Sequence, residues 1–180
     1  MKKKHLVTSF VARKRLEFIL AELAKLDKSA IKVLDVGCGN REVTNAIKAK
    51  GYNIIGIDKV SDAEWMKGRR PDLVMDATAM TFPDNAFDAI IALEIVEHAP
   101  CIPEICRVLK KKGLFFCSTP TPHTDWVRHI LVRTPLLEDQ DFKGHDYLIN
   151  LRTVPRVVPL KLIFYKKMFG GTSQFGIFTK

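Results

Sequence analysis

From residue 31 onward short apolar runs alternate with stretches of helical period, and most of the runs stop at an acidic or small polar residue. The first run, over 31 to 36, leads into "VLDVGCGNRE"; "YNIIGID" (52 to 58), "DLVMD" (72 to 76), "FDAIIAL" (87 to 93) and "LFFCS" (114 to 118) follow. Runs this continuously apolar suit strands buried on both faces, and helical stretches between them are the crossovers of a parallel sheet. Val7, Phe10, Val11, Phe18, Ile19, Ala21, Leu23 and Leu26 predict a leading amphipathic helix over 7 to 26. A helix over about 41 to 50 closes at Gly51, and one over 103 to 112 leads through Gly113 into the fifth strand. Pro83, Asp84 and Asn85 supply the turn before the fourth strand.

After residue 118 the rhythm changes. Pro120, Pro122 and Pro135 predict that 119 to 150 stays out of the sheet and runs as a loop. In the closing "KLIFYKKMFGGTSQFGIFTK" two strand-like runs flank Gly170 and Gly171, the signal of a hairpin. The expected order is a leading helix (1 to 30), a core (31 to 118), the loop, and a hairpin region (151 to 180), in one domain over 1 to 180.

Composition agrees, since 180 residues with 47% hydrophobic content fill one core. The basic start is followed by an apolar stretch that ends at Arg13, too short for a signal peptide, and no run reaches the roughly 18 to 20 residues of a membrane span. Cys38, Cys101, Cys106 and Cys117 show no C-x-x-C spacing and read as reduced thiols, which places the expected location in the cytoplasm. The net charge of +9 suits an anionic partner such as RNA or phospholipid. Its clusters are short, scattered and poorly interleaved with aromatics, so a solvated basic surface is the favoured reading and a nucleic-acid partner is not.

The chemistry gathers at the strand ends. Gly37 and Gly39 permit a sharp turn and close approach of a ligand to the following helix N-terminus. A dinucleotide site carries a third glycine where this chain has Glu42, whose carboxylate would repel a pyrophosphate. Asp35 adds negative charge at the first strand end, which suits a ligand with a positive group. S-adenosylmethionine fits: it has an amino group, a ribose and an adenine, and no phosphate. Asp58 ends the second strand where a carboxylate accepts ribose hydroxyls. Asp76 ends the third and suits the adenine amino group; Leu93 and Glu94 end the fourth, and Ser118 the fifth.

The segments "VLDVGCGNRE", "IIGIDKV", "DLVMDATAMTFPDNAFDAIIALEIVEHAP" and "EICRVLKKKGLFFCSTP" together resemble the class I S-adenosylmethionine-dependent methyltransferases of the type-11 group, which includes the ubiquinone-pathway O-methyltransferases. The resemblance implies an α/β fold: a single Rossmann-like doubly wound sheet, mostly parallel, of about seven strands with an antiparallel C-terminal hairpin and helices on both faces. It implies cofactor contacts from Arg15, Asp35, Gly37, Cys38, Gly39, Asp58, Lys59, Asp76, Ala77 and Leu93, and SN2 transfer of a methyl group to a small-molecule or lipid-like acceptor. Two departures stand out. Arg41 replaces the last glycine of the family's G-x-G-x-G, which sets a side chain where backbone normally lies near the methionine moiety. Between Asp76 and Phe87 there is also no room for a full helix.

The sequence offers His123 and His145 as proton acceptors, with Asp125 and Asp146 beside them, in a loop whose Trp126, Phe142 and Tyr147 would wall an acceptor pocket. Glu94, Glu97 and His98 fall at i, i+3 and i+4, a spacing that with His145 suits Mg²⁺ or Mn²⁺ in some relatives; the favoured reading assigns no metal. A metal-assisted RNA methyltransferase and a non-catalytic cofactor-binding subunit are the alternatives, and the oligomeric state stays open.

Overall fold

The structure is a computed structural model, and it describes residues 6–60, 70–122 and 149–180. The chain builds α1 (Leu6–Leu23), β1 (Lys32–Val36), α2 (Glu42–Lys48), β2 (Asn53–Asp58), β3 (Leu73–Val74), β4 (Phe87–Leu93), α3 (Ile102–Val108) and β5 (Leu109–Pro120). A 3₁₀ helix (Leu151–Arg156), β6 (Lys161–Met168), a turn at Phe169–Gly171 and β7 (Ser173–Thr179) complete it. The seven strands form one sheet in the order β3-β2-β1-β4-β5-β7-β6. β1 pairs in parallel with β2 and β4, and β4 with β5, while β7 runs antiparallel between β5 and β6. The expected doubly wound sheet with its antiparallel hairpin is present.

The strand runs are apolar on both sides because both sides are covered. Val33, Ala89, Ile91, Phe116 and Phe175 pack with Ile19 and Leu23 of α1 and Ile47 of α2. Leu34, Val36, Ile90, Ala92, Phe115 and Cys117 face the other way, against Ile102 and Ile105 of α3 and Leu151 and Val154 of the 3₁₀ helix. Alternate side chains of a strand point to opposite faces, so each strand feeds two core layers.

Three expectations need correction. The helix expected over 103 to 112 ends at Val108, and residues 109 to 112 already belong to β5. Phe87 pairs with Leu109 but Ala89 pairs with Leu114, so residues 110 to 113 bulge opposite Asp88. There Lys110 Nζ donates to both Asp88 carboxylate oxygens at 2.8 and 2.9 Å. Pairing across the sheet outweighed the helical period of the lysine run. The third strand shrinks from five residues to Leu73–Val74 at the sheet edge. Pro120, expected outside the sheet, is the last residue of β5 opposite Ser173. A proline lacks only the donor, and at a strand end its carbonyl still serves, here accepting Gln174 Nε2 at 3.0 Å.

No helix forms between β3 and β4, as the spacing required. Arg107 of α3 holds that connection instead, donating to the carbonyls of Met80 (2.7 Å) and Phe82 (2.8 Å) and to Asp84 (2.8 Å). Phe82 stands edge-on to Phe87 at 4.9 Å, which closes the core where a helix would lie. No helix among the described residues is long and apolar enough to cross a membrane.

Candidate cofactor site

Parallel strands β1, β2, β3 and β4 end on the same side, and the turn after β1 opens a space there. Gly37 and Gly39 take φ of 68° and 48°, a region that costs side chains about 1 to 2 kcal/mol. A Cβ on Gly37 would stand 3.0 Å from Ile95 Cγ1, so glycine also admits the segment after β4. The turn is pinned by two bonds: Cys38 N–H donates to the Ile57 carbonyl (2.9 Å) and Gly39 N–H to Asp58 Oδ2 (2.9 Å). Asp58 Oδ1 accepts the N–H of Val60 (3.0 Å). Each oxygen keeps a lone pair for a ligand.

Around this turn lies a cleft of about 320 Å³, lined by Gly37, Asp58, Lys59, Asp76 and Ala77, with Met75, Thr78, Ile95, His98, Ala99 and Pro100. The carboxylates of Asp58 and Asp76 give it acceptor character, and Met75, Ala77 and Ile95 give it an apolar wall. Asp76 is held in place by its own turn: its Oδ1 accepts the N–H (2.8 Å) and hydroxyl (2.7 Å) of Thr78, and Lys59 stands 3.5 Å from Oδ2. The Thr78 bonds, with a smaller contribution from Lys59, keep this carboxyl below its usual range. A ligand with hydroxyl and amino donors and a flat apolar body fits such a lining, and a pyrophosphate does not.

The structure thus gathers Gly37, Asp58, Lys59, Asp76 and Ala77 from the sequence reading, and ties Gly39 to Asp58. The other expected contacts point elsewhere. Asp35 is buried, its Oδ2 accepting the Thr44 hydroxyl at 2.6 Å, and burial pushes its carboxyl up to about 7. It anchors α2 to β1. The Cys38 side chain packs against Gly56, where an added Cβ would meet its Cβ and Sγ at 3.0 Å; burial raises the thiol to about 12. Only its backbone is left for a ligand. Leu93 packs against the α1 face of the core. Arg15 donates to Ser173 Oγ (2.6 Å) and pairs with Glu94 Oε1 (2.7 Å), which also accepts the Ser118 hydroxyl (2.9 Å). That network locks α1 to β4, β5 and β7 beside the cleft.

The Ile95 to Pro100 wall escaped the sequence reading because "EIVEH" looked like one helical face. It is a turn: Glu94 takes φ 55°, Ile95 and His98 line the cleft, and Glu97 is fully buried. Neither Glu97 carboxyl oxygen has a hydrogen-bond partner among the described residues. Burial, and then the Glu94 carboxylate, push it up to about 8. The Glu94 carboxylate lies near Glu97, but no group of three or more His, Cys, Asp or Glu among the described residues is placed to hold a metal.

His123 and His145, with Asp125, Trp126, Phe142, Asp146 and Tyr147, lie outside the described residues. Both ends of their segment are described, however, and meet at one side chain. Buried Gln174 of β7 donates from Nε2 to the carbonyls of Pro120 (3.0 Å) and Ile149 (2.6 Å), and its Oε1 accepts Leu151 N–H (3.1 Å). The two described ends therefore meet at one point, the carboxyl end of β5.

A family profile described as a methyltransferase domain matches residues 8–154. Among curated proteins, a sterol 24-C-methyltransferase of Aspergillus fumigatus is 34% identical over 49% of this chain and 27% of that protein. A ubiquinone biosynthesis O-methyltransferase of Histophilus somni is 28% identical over 74% of this chain and 63% of that one. The chain therefore spans roughly a quarter to two thirds of the length of these relatives. Among solved structures, a putative sarcosine dimethylglycine methyltransferase from Galdieria sulphuraria superposes with a TM-score of 0.70 at 17% identity, covering 96% of this chain and 86% of the other. A geranyl diphosphate C-methyltransferase from Streptomyces coelicolor A3(2) gives 0.64 at 14% identity, covering 93% and 78%. At such identities these two show the fold.

Proposed function

The chain belongs to the methyltransferase-domain family, and on that premise we propose that it transfers a methyl group from S-adenosylmethionine to a small-molecule or lipid-like acceptor. The observation that carries this reading is the cleft beside the Gly37 to Gly39 turn, lined with the carboxylates of Asp58 and Asp76. In this reading Asp58 accepts from the ribose hydroxyls, Asp76 and Ala77 meet the adenine edge, and Ile95 and Met75 flank the ring. When bound, the cofactor supplies a methyl group on a sulfonium, already activated for displacement. The protein's work is then to align the acceptor and exclude water.

The acceptor site is proposed to be formed by residues 119 to 150, within which Gln174 draws Pro120 and Ile149 together at the carboxyl end of β5. His123 and His145 are the proposed proton acceptors for an oxygen or nitrogen nucleophile. An apolar acceptor is favoured because the relatives' names specify a sterol and ubiquinone biosynthesis.

Calorimetry with S-adenosylmethionine, S-adenosylhomocysteine and NAD tests the cofactor. Binding of the first two without NAD is expected; tighter binding of NAD overturns the assignment.

A further inference from the structure

α1 ends at Leu23, and β1 begins at Lys32, at the amino ends of the parallel strands. The helix must therefore start at their carboxyl ends. Arg15 confirms this direction, bonding Ser173 at the first residue of antiparallel β7 and Glu94 just past β4. Phe10 lies five residues earlier, roughly 7 Å farther along the axis on the cleft side. β6 runs parallel to β5, so its last residues and the following turn reach the same side.

Two aromatic rings stand on this rim without a place in either core layer. Phe10 is 61% exposed, with Lys14 Nζ 5.9 Å from its ring centroid. Phe169 is half-buried, at a turn tip where it, Gly170 and Gly171 all take positive φ of 50°, 59° and 89°. A phenylalanine in the left-handed region is strained by about 1 to 2 kcal/mol, and among the described residues Phe169 belongs to neither core cluster. The same elements carry cations. Lys166 and Lys167 are exposed and have no acidic partner among the described residues, and Lys166 Nζ stands 5.0 Å from the Phe18 ring centroid. Arg13 and Lys14 share the single carboxylate of Glu17.

We propose that this rim, built from Phe10, Lys14, Lys166, Lys167 and Phe169, is a docking surface for an anionic lipid bilayer. An exposed ring at Phe10, a half-buried one at Phe169 and lysines on the same elements match the bilayer boundary, where aromatic side chains sit at headgroup depth and each lysine meets a negative surface potential. RNA would reward the lysines and stack on the exposed Phe10 ring; the chain's basic clusters, short and poorly interleaved with aromatics, favour the bilayer. The rim lies at the end of the sheet where the acceptor is proposed to enter. Docking there turns the entrance toward the membrane and shortens the path of an apolar acceptor through water. The role in acceptor delivery rests on the proposed function; the docking itself does not.

Sedimentation with phosphatidylcholine vesicles, with and without phosphatidylglycerol, tests the surface. The wild type is expected to bind only the anionic vesicles. Lys166→Gln and Lys167→Gln each weaken binding about fivefold, and Phe10→Ser with Phe169→Ser weakens it by tenfold or more. All three variants keep the wild-type circular dichroism and cofactor affinity. Absence of vesicle binding, or binding indifferent to the phenylalanines, overturns the proposal. So does binding to single-stranded RNA that the serine variants share equally with the wild type. Methyl transfer to a water-soluble acceptor in a protein that ignores vesicles would sink the docking surface and leave the proposed function standing.

Discussion

The guanidinium of Arg41 meets the carboxylate of Asp72 at 2.7 Å while the backbone of Arg41 keeps φ 63°, the left-handed conformation that glycine adopts freely. Arg41 Nη1 also donates to the Arg70 carbonyl at 2.9 Å. Asp72 in turn accepts the Gly56 N–H at 2.8 Å. Burial alone would raise the Asp72 carboxyl; the Gly56 and Arg41 bonds outweigh it and hold it below the usual range. Arg41 therefore keeps the left-handed turn, and its side chain is engaged by Arg70 and Asp72 just before β3 rather than lining the cleft.

Arg41→Gly should accordingly leave cofactor binding within about threefold of wild type. Relief of left-handed strain, about 1 to 2 kcal/mol, roughly offsets the lost ion pair and hydrogen bond. Arg41→Val loses the pair and worsens the strain, and should cost about 2 kcal/mol or more. Calorimetry and urea unfolding of the two variants read both effects. A tenfold affinity loss in Arg41→Gly would mean that the guanidinium serves the ligand.

Asp58→Ala should weaken cofactor binding by roughly 1.5 to 3 kcal/mol, one to two orders of magnitude in Kd. The carboxylate faces the cleft and also fixes Gly39, so ligand and turn are lost together. Asp58→Asn retains an acceptor for Gly39 N–H and should recover part of the loss. Wild-type affinity in both would remove Asp58 from the ribose role.

Glu97 sets a pH dependence of stability. Its carboxyl titrates near 8 when folded, against an ordinary value of 4.5. Below about 4.5 both states hold the proton; between 4.5 and 8 only the folded state does, so rising pH favours unfolding. Asp35 acts with the same sign from 3.8 up to about 7. From pH 7 to 8 the loss belongs mainly to Glu97, at about 1 kcal/mol. Urea unfolding at both values should show this drop in the wild type and not in Glu97→Gln. An equal drop in the variant would place the titration elsewhere.

Gln174→Ala should separate acceptor from cofactor. It leaves two carbonyls and one N–H unpaired in a buried site, which costs about 2 to 4 kcal/mol. Cofactor affinity should stay near wild type while KM for the acceptor rises at least tenfold. An unchanged KM would show that the segment ends need no such clamp.

What the sequence determined by itself was local. Apolar runs of strand length, glycines that must turn, and acids at strand ends follow from period and residue chemistry, and they placed the sheet, the Gly37 to Gly39 turn, Asp58 and Asp76. Tertiary structure decided everything that depends on a distant partner. Residues 109 to 112 left the helical pattern because Phe87 was there to pair with Leu109. Asp35 turned to Thr44, Arg15 to Glu94 and Ser173, and Arg41 to Asp72, across sequence separations of 9 to 158 residues. A charged side chain goes where its desolvation is best repaid, and only the folded sheet brings that partner within reach.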